Sequence, residues 1–325
     1  MYVTFFPQLV AGPIERARRL LPQFREIHHI SYERIRDGLL LMLLGMFKKV
    51  VIADRVADYV NTVYEAPELF KGLQVWIATM FFYVQIYCDF SGYSDIAIGA
   101  AAVMGYKLMT NFRQPFFADD LQDWWRRWHI SLTTWFRDYV YAELGGKKKG
   151  VNRWYFNILA MLVITGFWHG ANWTFVLFGL AHAILFIGTI VFRPSFAAFK
   201  RKIGLSKLVT LNRLINIFLT IHIGGLTILL FRSKSVSDAW QLFSNMFKGG
   251  GTNQLNLFHY PSDMMISIIA IMLLVCIELA QERKVLKPML AKLPLVTKWS
   301  LLILVLVIFS VFAKFDQQNF IYFQF

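Results

Sequence analysis

Residues 164–192 read ITGFWHGANWTFVLFGLAHAILFIGTIVF, and they decide the fold class. One apolar run ends at His169, and a second begins at Trp173 and continues to Phe192 without an Asp, Glu, Lys or Arg. A helix of about 20 apolar residues is long enough to span a bilayer. The stretch therefore predicts two consecutive membrane helices with a histidine near the turn between them.

The rest of the chain has the same apolar character. Of its 325 residues 57% are hydrophobic and only 17% are charged, against about 25% charged in an average soluble domain. This composition excludes a disordered chain, a coiled coil and most soluble globular folds. We predict a polytopic, all-α membrane protein with six to eight helices that cross or enter the bilayer. The further apolar runs are Gly38–Val60, Leu73–Tyr87, Tyr93–Tyr106, Trp154–Phe167, Leu214–Phe231, Met264–Leu279 and Trp299–Ala313.

The net charge of +14 is concentrated in the loops between these runs. Residues 107–153 carry nine Lys and Arg, 193–213 carry six and 281–298 carry five, whereas 232–263 carry three. Cytoplasmic retention of basic loops explains this pattern and places the turn after Trp168 toward the outer half of the membrane. No basic stripe stands apart from the membrane segments, so nucleic acid is not an expected partner.

Cysteine and histidine spacing gives no sign of a metal site. Cys88 and Cys276 both lie inside apolar runs, which does not indicate a disulfide framework or a cysteine-based metal site. The sequence also contains no HExxH motif, no calcium-binding loop and no phosphate-binding glycine loop. We expect no bound metal and no bound cofactor.

The segment Asp119–Tyr139, DDLQDWWRRWHISLTTWFRDY, has the period of a single amphipathic helix at the membrane boundary. At this period His129 lies at the edge of the apolar stripe, beside Arg126. It is either an amphipathic interface residue or a titratable group that faces a polar cavity. The apolar stripe consists of Leu121, Trp125, Trp128, Leu132, Trp135 and Tyr139.

His169 is the strongest candidate for chemistry. An ionisable group at membrane depth is costly unless it faces the bundle interior or water, and an imidazole can accept a hydroxyl proton and return it. The flanking Gly166 and Gly170 would let a substrate chain or another helix approach closely. The alternative is a loop histidine at the turn of a helix hairpin. His182 is interpreted as a packing or supporting residue.

Asp89 and Asp95 fall in a polar stretch that is predicted to interrupt an apolar span. Buried carboxylates need partners, and Arg113, Arg126 or Arg127 could supply them. A structural ion pair or a helix break is favoured over catalysis here.

Taken together, several segments resemble the membrane-bound O-acyltransferases, and within them the alginate O-acetyltransferase branch. They occur in the family's order and cover nearly the whole chain. The segments are Phe5–Phe24, Phe47–Arg55, Tyr87–Ala101, Asn111–Tyr141, Gly166–His182, Phe231–Ala239 and Phe320–Phe325.

The resemblance implies a fold, a reaction and a site. The fold is a helical bundle with a central tunnel, here one membrane domain over residues 1–325 that lacks the N-terminal helices of the full-length family. His169 is implied as the catalytic histidine and His129 as a second essential one, which we assign to the side of the thioester donor. Trp168, Asn172 and Arg126 are candidate hydrogen-bond donors, and Asp89 a candidate tunnel residue.

The implied reaction transfers an acetyl group from a cytoplasmic thioester, acetyl-CoA or another acyl thioester, to hydroxyls of an exported, alginate-like polysaccharide. The transfer is direct or passes through a periplasmic acetyltransferase partner. The implied location is the bacterial inner membrane, among its lipids. D-alanyl transfer to teichoic acid, a transporter and a non-catalytic scaffold are the alternatives. The sequence leaves the acceptor polymer open.

Overall fold

The computed structural model describes residues 2–249, 255, 257–314 and 320–321, and every long element in them is helical. Most of the long helices coincide with the apolar runs of the sequence. The α-helices are α1 (Ala17–Leu20), α2 (Tyr32–Met46), α3 (Asp54–Glu65), α4 (Leu73–Val103), α5 (Leu121–Arg127), α6 (Ile130–Phe136), α7 (Val151–His169), α8 (Trp173–Lys202), α9 (Val209–Arg232), α10 (Val236–Met246), α11 (Ser262–Glu282), α12 (Leu286–Lys292) and α13 (Leu295–Phe312).

Four of these helices, α8, α9, α11 and α13, are long and apolar enough to cross a membrane by length and composition. The long helices α4 and α7 carry more polar side chains, several of which are buried within the protein. The prediction of an all-α, multi-pass membrane protein is therefore confirmed.

The chain forms two compact units. Unit 1 takes the described residues of 1–62, 84–114 and 256–324, and unit 2 takes those of 63–83 and 115–255. Both candidate catalytic histidines belong to unit 2, whereas Asp89 and Asp95 belong to unit 1.

In unit 1, α2 packs closely along α4 through pairs of glycines. A Cβ atom on Gly38 would lie 2.8 Å from the Gly99 carbonyl oxygen, and one on Gly45 would lie 2.5 Å from the Gly92 carbonyl oxygen. Small residues at such spacing let two membrane helices approach to backbone contact.

The predicted interruption at Asp89–Asp95 is wrong, because α4 runs unbroken from Leu73 to Val103. The predicted arginine partners are also wrong. Asp95 pairs with Lys48 (Oδ2 to Nζ, 2.8 Å) and Asp89 with Lys49 (Oδ1 to Nζ, 2.7 Å). A helix keeps its own backbone bonded, so polar side chains do not break it when another element neutralises them.

These two lysines lie on a π-helical segment, Phe47–Ala53, that follows α2 directly. Together with Arg55 on α3, they form ion pairs with several acidic residues of unit 1. Lys49 also contacts Asp54, Lys48 lies 3.7 Å from Glu278, and Arg55 binds Asp263. Each of these cations lies beside a carboxylate, and such pairing stabilises ionic groups inside a helical bundle.

In unit 2, α7 and α8 form the helix hairpin predicted from residues 164–192. Gly166 lies against the α8 backbone, where a Cβ would come 2.2 Å from the Phe175 carbonyl oxygen. Gly179 lies against α7, where a Cβ would come 2.4 Å from the Leu162 carbonyl oxygen. The predicted close approach at Gly166 is confirmed. The hairpin turn carries His169.

We expect Gly166→Ala to destabilise the protein by about 1–3 kcal/mol, because the added methyl group forces α7 and α8 apart. Gly188→Ala on α8 is the matched control, since a Cβ at Gly188 meets nothing within 4 Å. Thermal unfolding of both variants in detergent checks the prediction. Equal midpoints would show that the hairpin does not depend on this contact.

Candidate active site

The segment around His129 is not the single helix that its periodicity predicts. Helix α5 ends at Arg127, Trp128 is extended, and α6 starts at Ile130. His129 lies between them in the left-handed region, with φ 42° and ψ 52°. Such a backbone costs about 1–2 kcal/mol in a residue with a Cβ, and strain of this kind is concentrated at functional sites.

The break changes which side chains are buried. Trp124, outside the predicted apolar stripe, is 2% exposed, whereas Trp135 and Tyr139, inside it, are 37% and 54% exposed. The left-handed residue rotates α6 relative to α5, so one helical period cannot describe both. The predicted stripe holds for Leu121, Trp125, Trp128 and Leu132, which are buried.

The same geometry buries His129, which is 4% exposed. Helices α5 and α6 have seven residues each and are too short to span a bilayer. Burial, and secondly the charge of the neighbouring His169, hold the pKa of His129 well below its ordinary value. The imidazole is therefore neutral at pH 7 and has a lone pair to accept a proton.

His169 is the last residue of α7 and lies among aromatic rings. Its ring centroid is 5.0 Å from that of Trp168 and 5.1 Å from that of Phe231, with Phe175 and Phe178 at 6.5 Å. Gly170 permits this arrangement, because a Cβ there would lie 2.6 Å from the Phe175 ring. The half-buried imidazole thus has an apolar surround in which electrostatic interactions are strong.

Trp168 joins the two histidines. Its ring centroid is 5.0 Å from that of His169 and 6.5 Å from that of His129. Residues forty positions apart in the sequence thus lie around one indole ring. The structure brings together three of the predicted site residues: His129, Trp168 and His169.

A second aromatic layer, which the sequence did not indicate, surrounds His182 on α8. The His182 ring stacks on Trp124 (centroids 5.4 Å apart, 24° between planes) and meets the edge of Trp125 at 5.3 Å. The Phe178 ring lies between these rings and those around His169. Its centroid is 4.5 Å from that of His182 and 6.5 Å from that of His169. The sequence feature that could have indicated these rings is the i, i+4 spacing of Phe178 and His182, which places both side chains on one face of the helix after the His169 turn.

The other three predicted site residues are Asn172, Arg126 and Asp89. Asn172 caps α8, with Oδ1 accepting from the Thr174 N–H (3.1 Å) and Nδ2 donating to the Lys234 carbonyl (3.1 Å). Arg126 is exposed on α5. Asp89 in unit 1 pairs with Lys49 and accepts the Ile321 N–H at 2.7 Å. These contacts favour structural roles for Asn172 and Asp89.

Comparison with known proteins identifies the family of the chain. The sequence profile of the membrane-bound O-acyltransferase family matches residues 1–231. The chain belongs to this family. Both histidines and the α7–α8 hairpin lie in the part of the chain that the family profile covers.

Three of the chain's curated relatives are named for acyl transfer. A peptidoglycan O-acetyltransferase from Helicobacter pylori is 34% identical over 81% of this chain and 48% of its own length. An Azotobacter vinelandii protein described as "Probable alginate O-acetylase AlgI" is 34% identical over 77% of the chain and 47% of its own length. A teichoic acid D-alanyltransferase from Streptococcus thermophilus is 31% identical over 74% and 62%. The chain spans about half the length of the first two of these relatives.

Proposed function

We propose that this protein is a membrane O-acyltransferase that moves an acetyl group from a thioester to hydroxyls of an exported polysaccharide. The observation that carries the proposal is the arrangement of His169 and His129 around Trp168, in a chain that belongs to the O-acyltransferase family. The names of two relatives, a peptidoglycan O-acetyltransferase and an alginate O-acetylase, support acetyl as the group and a polysaccharide as the acceptor.

In the proposed step His169 acts as general base. It takes the proton of the acceptor hydroxyl while that oxygen attacks the thioester carbonyl carbon. The tetrahedral intermediate then collapses, the C–S bond breaks, and the imidazolium returns its proton to the departing thiolate. The products are an O-acetyl ester and a free thiol, and His169 is neutral again.

The aromatic rings around His169 would help by excluding water. Water competes with the acceptor hydroxyl for a thioester, so a dry site favours transfer over hydrolysis. The same apolar surround strengthens the interaction between an imidazolium and the developing oxyanion. His129, neutral and close to Trp168, would orient the thioester or assist the proton transfer.

The direct test is acetyl transfer by the purified protein. Radiolabelled acetyl thioester and a soluble oligosaccharide acceptor are incubated with the protein, and both free thiol and O-acetylated product are quantified. We expect the two to rise together. A protein that releases no thiol and transfers no label would contradict the proposal and favour a transporter or scaffold.

We expect His129→Asn to lower transfer by about 10²-fold or more while the protein remains folded. Asparagine tolerates left-handed backbone as histidine does, so the break between α5 and α6 is retained while the imidazole is lost. The measurements are the transfer rate and size-exclusion elution.

His222→Asn is the control for this variant. His222 is half-buried on α9, where its ring stacks on that of Trp76 and its Nδ1 contacts the Phe218 carbonyl oxygen at 2.7 Å. A His129→Asn rate equal to that of the control would show that His129 has no part in the reaction.

D-alanyl transfer is the second candidate, supported by the similarity to a teichoic acid D-alanyltransferase. The two reactions differ in their donors. D-alanyl transfer would depend on an acyl-carrier protein, whereas acetyl transfer from acetyl-CoA would not. Omitting the carrier protein from the assay distinguishes them.

We place the protein in the bacterial inner membrane. Four apolar helices support a multi-pass membrane protein, and the basic loops at 107–153, 193–213 and 281–298 favour a cytoplasmic side that faces the thioester pool. A periplasmic acetyltransferase that passes the group to the polymer is a compatible partner.

A further inference from the structure

The hydrogen bonds of His182 determine which of its ring nitrogens carries the proton. His182 is 1% exposed, and its Nε2 lies 2.8 Å from Thr227 Oγ1. The Thr227 hydroxyl also contacts the Gly224 carbonyl oxygen at 2.7 Å. A carbonyl only accepts and a hydroxyl has one hydrogen, so Thr227 donates to Gly224. Oγ1 must then accept from His182, and the proton is on Nε2.

Nδ1 of the neutral His182 ring is therefore an acceptor. It is buried and makes no hydrogen bond with any described residue. The indole Nε1 of Trp125, whose ring centroid lies 5.3 Å from that of His182, is a buried donor that likewise has no hydrogen-bond partner in the described ranges. Leaving such groups unpaired costs about 1–3 kcal/mol each, so the pair is suited to a ligand.

One acceptor beside one donor is the complement of an amide, which offers both an N–H and a carbonyl oxygen. The proposed donor substrates share a group with this chemistry. The pantetheine arm of coenzyme A, and the same arm on carrier proteins, contains two amides and ends in the thiol that carries the acyl group. The Phe178 ring contacts both His182 and His169, with its centroid 4.5 Å and 6.5 Å from theirs.

We propose that His182 Nδ1 and Trp125 Nε1 bind an amide of the pantetheine arm and so position the thioester for His169. His182 is a positioning residue in this role, with Thr227 keeping the required proton on Nε2. The inference rests on the proposed acyl transfer and specifies how its donor is recognised.

Two substitutions separate this role from simple packing. Gln at 182 places its amide at the ε position, so it can donate to Thr227 but has no acceptor at the Nδ1 position. Asn places its Oδ1 at the δ position, so it retains an acceptor there but cannot reach Thr227. Ligand binding predicts that His182→Gln is the more harmful change, and packing alone predicts that His182→Asn is.

The readout is a preference between two donors, which does not depend on how much protein is folded. S-acetylpantetheine is compared with an alkyl thioacetate of the same length that contains no amide, by kcat/KM. We expect the wild-type protein to prefer S-acetylpantetheine and His182→Gln to lose about tenfold of that preference, with the loss in KM. Trp125→Phe, which removes the indole N–H and keeps an aromatic ring at the position, should show the same loss.

Acetyl-CoA and an acetylated carrier protein are tested in parallel to identify the source of the arm, and the loss should appear with whichever one the wild-type protein uses. A wild-type protein that releases no thiol from any thioester contradicts the proposed function and this inference with it. An active wild-type protein whose preference survives in both His182→Gln and Trp125→Phe contradicts the inference alone.

Discussion

Replacement of His169 by alanine is expected to lower acetyl transfer by about 10²–10⁴-fold, the contribution typical of a general base. The imidazole is the group assigned to remove the hydroxyl proton and return it to the thiolate, and the rings of Trp168 and Phe231 lie against it. The measurement is acetyl ester formed on the acceptor, with free thiol followed in the same reaction.

The control is His222→Ala, which removes a half-buried imidazole from α9 in the same unit. It should retain the wild-type rate. Because His129 and His169 lie around one indole ring, the effects of their substitutions should not add, as is usual for groups that act in one step. Transfer by His169→Ala within a few-fold of the control would remove His169 from the mechanism.

The second large effect is expected on stability, from Lys48→Met in unit 1. Lys48 is 5% exposed, 2.8 Å from Asp95 and 3.7 Å from Glu278. Methionine fills the space of the aliphatic chain but leaves the buried Glu278 carboxyl group and the partly exposed Asp95 carboxyl group without their cation. Loss of one partner from a buried pair costs about 3–5 kcal/mol. The fraction of monodisperse protein and its thermal midpoint in detergent should both fall sharply.

Lys287→Met is the matched control, because the Lys287 side chain is 90% exposed and lies 3.8 Å from Asp37. It should behave as wild type. Adding Asp95→Asn to Lys48→Met should recover part of the loss, since it removes one of the unpaired charges. Equal stability of Lys48→Met and the Lys287→Met control would show that the ion pairs do not hold this unit together.

How far the site was predictable depends on the range of the contacts involved. The position of His169 at the turn between α7 and α8 was predictable, because the two apolar runs around it and its flanking glycines are local features of 164–192. The surroundings of His182 were not, because Thr227, Trp124 and Trp125 lie on other helices. The separate helices α5 and α6 were also missed, since a periodic pattern does not register one left-handed residue at His129.

The buried charges show the same limit. The sequence correctly indicated that Asp89 and Asp95 need cationic partners, but it suggested arginines and a broken helix. The structure pairs both with lysines of a π-helical segment and keeps α4 continuous. Which cation meets a given carboxylate is decided by packing, and neither composition nor spacing reports it.

The sequence by itself determined that this protein is an all-helical, multi-pass membrane protein of the O-acyltransferase family, and it predicted a histidine at the turn between α7 and α8. Hydropathy and short motifs encode these properties within a single segment. Only the tertiary structure decided that the His129 ring lies near Trp168 and that Trp124 and Trp125 lie against His182. It also decided that two lysines of the π-helical segment pair with the carboxylates of α4. These properties depend on side chains far apart in the chain, which meet only once the helices have packed.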